Sequence, residues 1–297
     1  MRLQQFCFLF VAVVGISSRP IDAVACASCG CGDPTLTAMG QEKPFKNRVR
    51  LALEQRLGAH TTGMPSEQSL VSRTTFAANW SPLAWLTLGT LAPLVAVRSD
   101  TAHRPTRETV GLGDVEFLVR ALAFRDRRFS PHHTIGLLAG LKTPTGPRVN
   151  DSSGYPASDD VQPGSGSWDA VFGASYAYFG ELSSAFISAS YRHTTAGYQD
   201  YRRGSVFGAS AAVQLTLNRW SALVLGADFT HTQPSQLATA VRAPDTGGLL
   251  LSASPGLLFA LHQDWLLRFA LQVPVIQSWR GTQSETATGI VSLVVDL

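Results

Sequence analysis

Two segments, residues 133–142 (HTIGLLAGLK) and residues 166–178 (GSWDAVFGASYAY), decide the fold of this 297-residue chain. In the first segment, apolar residues occupy the odd positions from Ile135 to Leu141, while polar or small residues occupy most of the even positions. A period of two predicts a β-strand with two chemically different faces. Residues 143–165 between the segments are rich in proline, glycine and aspartate, which predicts a long loop. The two strand segments and the loop between them together predict a β-hairpin.

The same pattern recurs along the chain on both sides of this hairpin. Period-two segments precede it at residues 47–57, 70–79, 83–97 and 114–124, and follow it at 182–193, 205–217, 221–231, 248–261, 266–275 and in a closing strand that ends at 297. Short connections at 81–82, 125–131, 179–181, 218–219 and 262–264 alternate with longer loops, including 58–69 and 98–112. Short turns alternating with long loops are typical of an all-β, antiparallel, up-and-down transmembrane β-barrel, here of about twelve strands. A soluble β-sandwich also has alternating strands, but it gives no reason for regular turn lengths.

Composition agrees with a membrane barrel. Charged residues make up 15% of the chain and hydrophobic residues 45%. Beyond the N-terminus there is no run of about 20 apolar residues, so the sequence does not predict membrane-spanning helices. The net charge of +3 and the lack of a basic run exclude nucleic acid as a partner.

The N-terminus has the features of a secretion signal. Met1-Arg2 is basic, residues 6–16 are apolar, and Ala23-Val24-Ala25 is an A-x-A cleavage site. We therefore predict a signal peptide at 1–25, a Cys-rich periplasmic tail at 26–46 and an outer-membrane barrel at 47–297. Export and a barrel together predict the outer membrane of a Gram-negative bacterium.

Three of the four cysteines remain after cleavage, in the pattern C-x-x-C-x-C at Cys26, Cys29 and Cys31. Three thiolates this close together could hold a soft ion such as Cu(I), or zinc with a fourth ligand from elsewhere. The alternative is one local disulfide plus a third cysteine that is unpaired or, at Cys26, acylated. Both alternatives stay open.

The polar faces of the strands predict a wet lumen. Strand parity places the following charged residues inward: Arg48, Arg50, Glu54, Arg56, Arg73, Glu116, Arg120, Lys142, Asp169, Arg192, Asp228, Arg268 and Asp296. The basic excess favours a pore for anionic or polar small solutes. Alternatively, these charges pair in a salt-bridge ladder that partly fills the lumen. The loop at 143–165 is long enough to fold inward as a gate, and the alternative is a plain surface loop.

Aromatic residues lie beside the short turns, where a girdle would meet the periplasmic interface: Trp80, Trp85, Phe129, Phe179, Trp220 and Trp265. The last strand, which alternates up to Leu297, resembles the C-terminal signal that barrel assembly machinery recognises, although an aromatic residue is usual at the last position. The predicted partners are therefore outer-membrane lipid, the assembly machinery and a small-molecule solute.

Two motifs bracket the long loop, LKTPTG at residues 141–146 and QPGSGSWD at residues 162–169. With the CGCGDPTLTAMG run at 29–40, they resemble a bacterial outer-membrane transporter-like β-barrel family named for the meta-pathway of phenol degradation. The resemblance implies a barrel from about Asn47 to the C-terminus and a transport role, with a poorly defined substrate.

These observations predict an outer-membrane transporter or channel for small solutes, anionic or aromatic. The alternative is a barrel-anchored periplasmic protein that binds or exports copper through the cysteines. An enzyme is not predicted, because His132, His133, His193 and His231 lie near strand ends without a nucleophilic serine in a recognisable pairing. No cofactor is predicted apart from copper or zinc at the cysteines.

Overall fold

The computed structural model describes residues 46–62, 67–101, 106–127, 130–150, 162–238, 241–243, 246–281 and 283–297. The strands are β1 (Arg48–Thr62), β2 (Glu67–Leu83), β3 (Leu86–Thr101), β4 (Arg107–Leu112), β5 (Glu116–Arg125), β6 (His133–Lys142), β7 (Asp169–Phe179), β8 (Ser183–His193), β9 (Val206–Asn218), β10 (Ser221–Thr232), β11 (Gly248–His262), β12 (Trp265–Trp279), β13 (Ser284–Glu285) and β14 (Thr288–Asp296). A 3-10 turn at Tyr198–Asp200 lies between β8 and β9. Among these residues, no helix is both long enough and apolar enough to cross a membrane.

The strands form one antiparallel sheet that closes on itself. Each wall strand pairs with the next along the chain, and β14 pairs with both β12 and β1. Because β4 and β5 share the β3 edge and β13 and β14 share the β1 edge, the wall has twelve positions. The prediction of a closed up-and-down barrel of about twelve strands is confirmed.

The two faces of the wall differ as the alternation predicts. In β5, Glu116 and Leu118 are buried, whereas Phe117 and Val119 are exposed. The large hydrophobic side chains exposed on this face are leucine, valine, isoleucine and aromatic residues. An apolar outer face suits lipid, since charge there is costly at membrane depth.

Most of the predicted aromatic girdle lies on this outer face. Trp85, Trp220 and Trp265 are each exposed beside a short turn, and Trp80 is exposed in β2 before the turn at 84–85. The prediction was wrong for Phe179, which points inward and packs edge-on against Phe186 at a centroid distance of 5.9 Å. The reason is parity, because Phe179 shares the face of buried Asp169 and Ala177 in β7. Phe129 lies outside the described residues.

The interior at the short-turn end is packed with apolar side chains rather than open. Its buried members include Ala52, Ala77, Leu91, Leu118, Ala177, Phe179, Phe186, Ala212, Ala222, Val224, Leu258, Leu266 and Val294, and partly buried Leu138 packs against them. Most of them occupy inward positions toward the short-turn end of their strands, and Leu118, near the start of β5, lies opposite Gly89 of β3. The barrel therefore has a hydrophobic core at this end, which the expectation of a wet lumen did not include.

Several strands run further than their apolar pattern predicted. The turn between β2 and β3 lies at residues 84–85, not at 81–82, and Pro82 belongs to β2 at a register shift. Much of the predicted loops at 58–69 and 98–112 continues the ladder of the wall. Backbone hydrogen bonds can continue a strand into water whatever its side chains are. A prediction based on side-chain polarity therefore ended these strands several residues too early.

The turn after β5 is held by a carboxylate. The backbone N–H groups of His133 and His132 donate to Asp126 Oδ1 at 3.0 and 2.9 Å. These hydrogen bonds, led by that from His133, lower the pKa of the Asp126 carboxyl group.

Candidate functional site: the lumen and its loop-covered cavity

All the charged residues predicted to line the lumen lie on the inward face by strand register. Within β1, for example, Arg50 and Glu54 are buried on the same face as Ala52, while Leu51 and Leu53 are exposed outside. The complete set is Arg48, Arg50, Glu54, Arg56, Arg73, Glu116, Arg120, Lys142, Asp169, Arg192, Asp228, Arg268 and Asp296. The structure gathers most of them into three groups of charges.

The first group of charges joins the first and last strands of the barrel wall. The Arg50 guanidinium donates two hydrogen bonds to Asp296, from Nε to Oδ1 at 2.7 Å and from Nη2 to Oδ2 at 2.8 Å. Arg48 forms a second ion pair with the same carboxylate. Because β1 and β14 are the first and last wall strands, these ion pairs lie across the closure of the barrel.

The second group lies deeper along β1. Arg56 Nε contacts Glu54 Oε1 at 2.7 Å, and Ser292 Oγ donates to Glu54 Oε2 at 3.0 Å. Arg268 is buried and interacts electrostatically with the same Glu54 carboxylate. Arg73 stands directly opposite Arg56 in the β1–β2 register. Two like charges in a direct cross-strand pair repel, and the nearby Glu116 and Glu54 carboxylates act on Arg73 electrostatically.

The third group lies near the long-loop end. Arg192 Nη2 contacts Glu116 Oε2 at 3.0 Å, and Lys142 Nζ contacts Asp169 Oδ2 at 2.5 Å. Lys142 Nζ also lies 3.4 Å from Asp114 Oδ2. The group therefore alternates cations and carboxylates across β5, β6, β7 and β8.

Two predicted residues lie apart from these groups. Asp228 accepts a hydrogen bond from Ser210 Oγ at 2.8 Å and another from Ser254 Oγ. The Arg120 side chain packs over Gly136, where an added Cβ would lie 3.0 Å from Arg120 Nε. Most of the predicted lumen charges therefore lie beside an opposite charge.

Asp114, a residue that the sequence analysis did not select, holds the two ends of the long loop. Its Oδ1 accepts from the Gly146 N–H at 3.0 Å, and its Oδ2 accepts from the N–H and Oγ of Ser165 at 2.7 and 2.8 Å. Ser167 Oγ continues the network to Asp169 Oδ1 at 2.8 Å. The sequence did contain a feature that could have identified this residue, because Asp114 is a carboxylate in the glycine-rich GLGD sequence at residues 111–114.

The end of the long loop that precedes β7 is buried in the barrel, whereas most of the described residues 144–150 are exposed or partly exposed. Residues 162–165 are buried, and Gln162 bonds both ways with Val149, accepting from its N–H at 2.9 Å and donating to its carbonyl at 2.8 Å. Tyr198 Oη, from the loop after β8, donates to the Gly146 carbonyl at 2.5 Å. Residues 162–165 are therefore not part of a plain surface loop, while residues 151–161 lie outside the described residues.

A cavity of about 530 Å³ lies beneath these loop ends. Its wall and roof are formed by Arg73, Pro93, Asp114, Glu116, Lys142, Pro163, Ser165, Asp169, Arg192, Thr194, Tyr201, Arg203, Gly204, Val206, Thr232 and Ser235. The third group of charges thus lines a partly open space inside the barrel. Its size is within the range of small-molecule sites.

The predicted metal ligands Cys26, Cys29 and Cys31 lie outside the described residues, as do the predicted signal peptide and most of the tail. Whether they hold copper, zinc or a disulfide stays a prediction. Among the described residues, no group of three or more histidine, cysteine and acidic side chains is placed to hold a metal ion.

The fold resembles solved outer-membrane barrels. An outer membrane channel from Pseudomonas putida F1 has a TM-score of 0.69 and 14% identity, covering 86% of this chain and 98% of that one. The β domain of the Bordetella autotransporter BrkA has a TM-score of 0.54 and 9% identity, covering 85% of this chain and all of the other, 100%. At these identities the likeness shows the fold, and neither match supports the copper alternative.

At the level of sequence, no curated protein matches the chain. The family described as "Putative MetA-pathway of phenol degradation" matches residues 59–277, which include most of the barrel and both motifs around the long loop. The chain therefore belongs to this family, and its structure is a twelve-stranded outer-membrane β-barrel.

Proposed function

We propose that this protein is an outer-membrane channel that admits small solutes, anionic or aromatic, to the barrel interior. The observation that carries the proposal is the cavity of about 530 Å³, which is lined by ionic side chains inside a wall with an apolar outer face. Charged groups in a cavity need water or a polar ligand, because a dry and unpaired charge costs several kcal/mol. The cavity is therefore suited to a hydrated or charged solute.

The orientation follows from the loop lengths. Bacterial barrels have short periplasmic turns and long extracellular loops. We place the connections at residues 84–85 and 219–220 in the periplasm, together with the N-terminal tail at 26–46, and the cavity toward the external side. The barrel assembly machinery would recognise the C-terminal strand at the same periplasmic end.

The packed core at the short-turn end supports a narrow path. Leu118, Phe186 and Leu258 are among the inward side chains that fill the barrel below the cavity. A solute passing between them needs side-chain movement, and apolar constrictions resist the entry of ions. We therefore expect a small conductance compared with that of a wide porin.

The test is planar-bilayer conductance of the full chain extracted from outer membranes, measured under a salt gradient. We expect small, steady openings and a reversal potential with anion preference, because the cations lining the cavity outnumber its carboxylates. Folded barrels that give no conductance would contradict the channel. Cation preference would contradict the anionic solute class.

The loop ends held by Asp114 are the proposed gate. The substitution D114N removes the negative charge beside Lys142 and part of the acceptor capacity used by Gly146 and Ser165. We expect longer or larger openings and faster proteolysis of the loop. The matched control is D100N, because Asp100 is exposed and contacts Arg98 outside the lumen. Unchanged gating in D114N would contradict this role.

A further inference from the structure

The cavity contains more positive than negative side chains. Four cations line it, namely Arg73, Lys142, Arg192 and Arg203, against three carboxylates, namely Asp114, Glu116 and Asp169. The carboxylates are already engaged, Asp169 and Asp114 by Lys142 and Glu116 by Arg192. One positive charge in the cavity is therefore not neutralised by a carboxylate of its lining.

Arg73 is the lining cation to which we assign this excess charge, although the Glu116 and Glu54 carboxylates act on it electrostatically. Arg203 donates to the Gly164 carbonyl at 3.4 Å, whereas Arg73 forms no ion pair with any carboxylate of the described residues. Its cross-strand partner is Arg56, whose own guanidinium contacts Glu54. The side chain of Arg73 is exposed, and its position in β2 faces inward with buried Thr75. Its exposed surface therefore belongs to the lumen and not to lipid.

Apolar surface lies beside this guanidinium. Val95 is the direct partner of Arg73 in β3, and Pro93, two residues earlier on the same face, lines the cavity. Pro163 from the long loop, Tyr201 and Val206 also contribute to the lining. The cavity thus combines one unneutralised cation with proline, valine and tyrosine surface.

We propose that Arg73 is the recognition residue of a monocarboxylate site, and that the solute is a small aromatic carboxylate. The carboxylate would pair with the Arg73 guanidinium, which matches it in planar, bidentate geometry. The ring would lie against the apolar lining. A neutral hydrocarbon leaves Arg73 without an anion, and a dianion brings a second negative charge toward Glu116 and Asp169. The inference rests on the proposed channel function and names its solute class.

Calorimetric titration of the detergent-solubilised full chain tests the site. Benzoate is the probe, benzamide its neutral counterpart and phthalate its dianionic counterpart. We expect benzoate to bind more tightly than either, and R73Q to weaken benzoate binding about tenfold or more, as loss of a charged hydrogen bond predicts. R73K should retain part of the affinity, because it keeps the charge without the bidentate geometry.

The matched control is R98Q, which removes an exposed arginine that pairs with Asp100 and Glu108 on the outward side of the next strand. Benzoate affinity should be unchanged in R98Q. Equal weakening in R98Q and R73Q, unchanged affinity in R73Q, or equally tight binding of benzamide would each overturn the site.

Conductance of the same variants separates this inference from the channel itself. If benzoate binding depends on Arg73 but the barrel does not conduct, the result supports the site and contradicts the channel. A barrel that conducts but has no Arg73-dependent affinity for benzoate keeps the channel and overturns the site.

Discussion

Gly164 lies where the long loop meets the barrel wall, and it is one of several glycines at this site that leave no room for a side chain. A Cβ added there would lie 2.7 Å from Asp114 Oδ1 and 3.0 Å from the Gly146 Cα. Both neighbours are fixed, the first by its hydrogen bonds and the second because it is backbone. The glycines of the two loop motifs are therefore explained by close approach of chain segments.

The substitution G164A should loosen the loop ends without unfolding the barrel. The new methyl group would push Asp114 away from Ser165, and overpacking of this kind costs about 1–3 kcal/mol. Limited proteolysis of the purified barrel measures the effect as faster cleavage near residues 143–165. The matched control is G208A in β9, where the nearest atom is Ser190 Oγ at an ordinary 3.4 Å. Equal cleavage rates in the two variants would contradict the packing argument.

At the scale of the element, the strands were predictable because each has a face for lipid and a face for the interior. A one-residue slip would exchange the two faces, so the period of two fixes the orientation of every side chain in a strand. The strand ends were less predictable. Residues 113–115, which separate β4 from β5 and include Asp114, follow a segment whose charge and polarity had predicted a loop instead of a strand.

The lipid face of β6 gives a direct test of strand placement. Leu137 is exposed in the middle of the strand, so L137R should lower the free energy of unfolding by about 2–4 kcal/mol, the cost of arginine near the bilayer midplane. The matched control is L217R, because Leu217 is exposed near the end of β9 beside a short turn, where the expected cost is about 0–1 kcal/mol. Urea unfolding in lipid vesicles measures both. Similar costs at the two sites would contradict the placement of the membrane.

At the scale of the whole molecule, the barrel depends on contacts between the first and last strands. Asp296 in β14 accepts from Arg50 in β1, and both side chains are largely buried. The substitution D296N leaves two inward arginines without their carboxylate. We expect a loss of about 3–5 kcal/mol in the free energy of unfolding, as is typical when one partner of a buried pair is removed.

Heat-dependent mobility in gels and urea unfolding in vesicles measure this closure. D264N is the matched control, because Asp264 lies in an exposed turn with His262 Nδ1 at 4.0 Å. Surface pairs of this kind contribute about 0–1 kcal/mol. Equal stability of D296N and the unsubstituted protein would show that the backbone ladder alone closes the barrel.

The sequence by itself determined the barrel, its strand number and the inward position of the charged residues, because periodicity and turn length are local properties of the chain. Only the tertiary structure decided which charged side chains neutralise one another and which side chain carries the excess positive charge. The Asp114–Ser165 contact joins residues separated by 51 positions, and Arg50–Asp296 joins residues separated by 246. Barrel closure brings such residues together, so neither the burial of residues 162–165 nor the excess positive charge at Arg73 can be predicted from a strand considered alone.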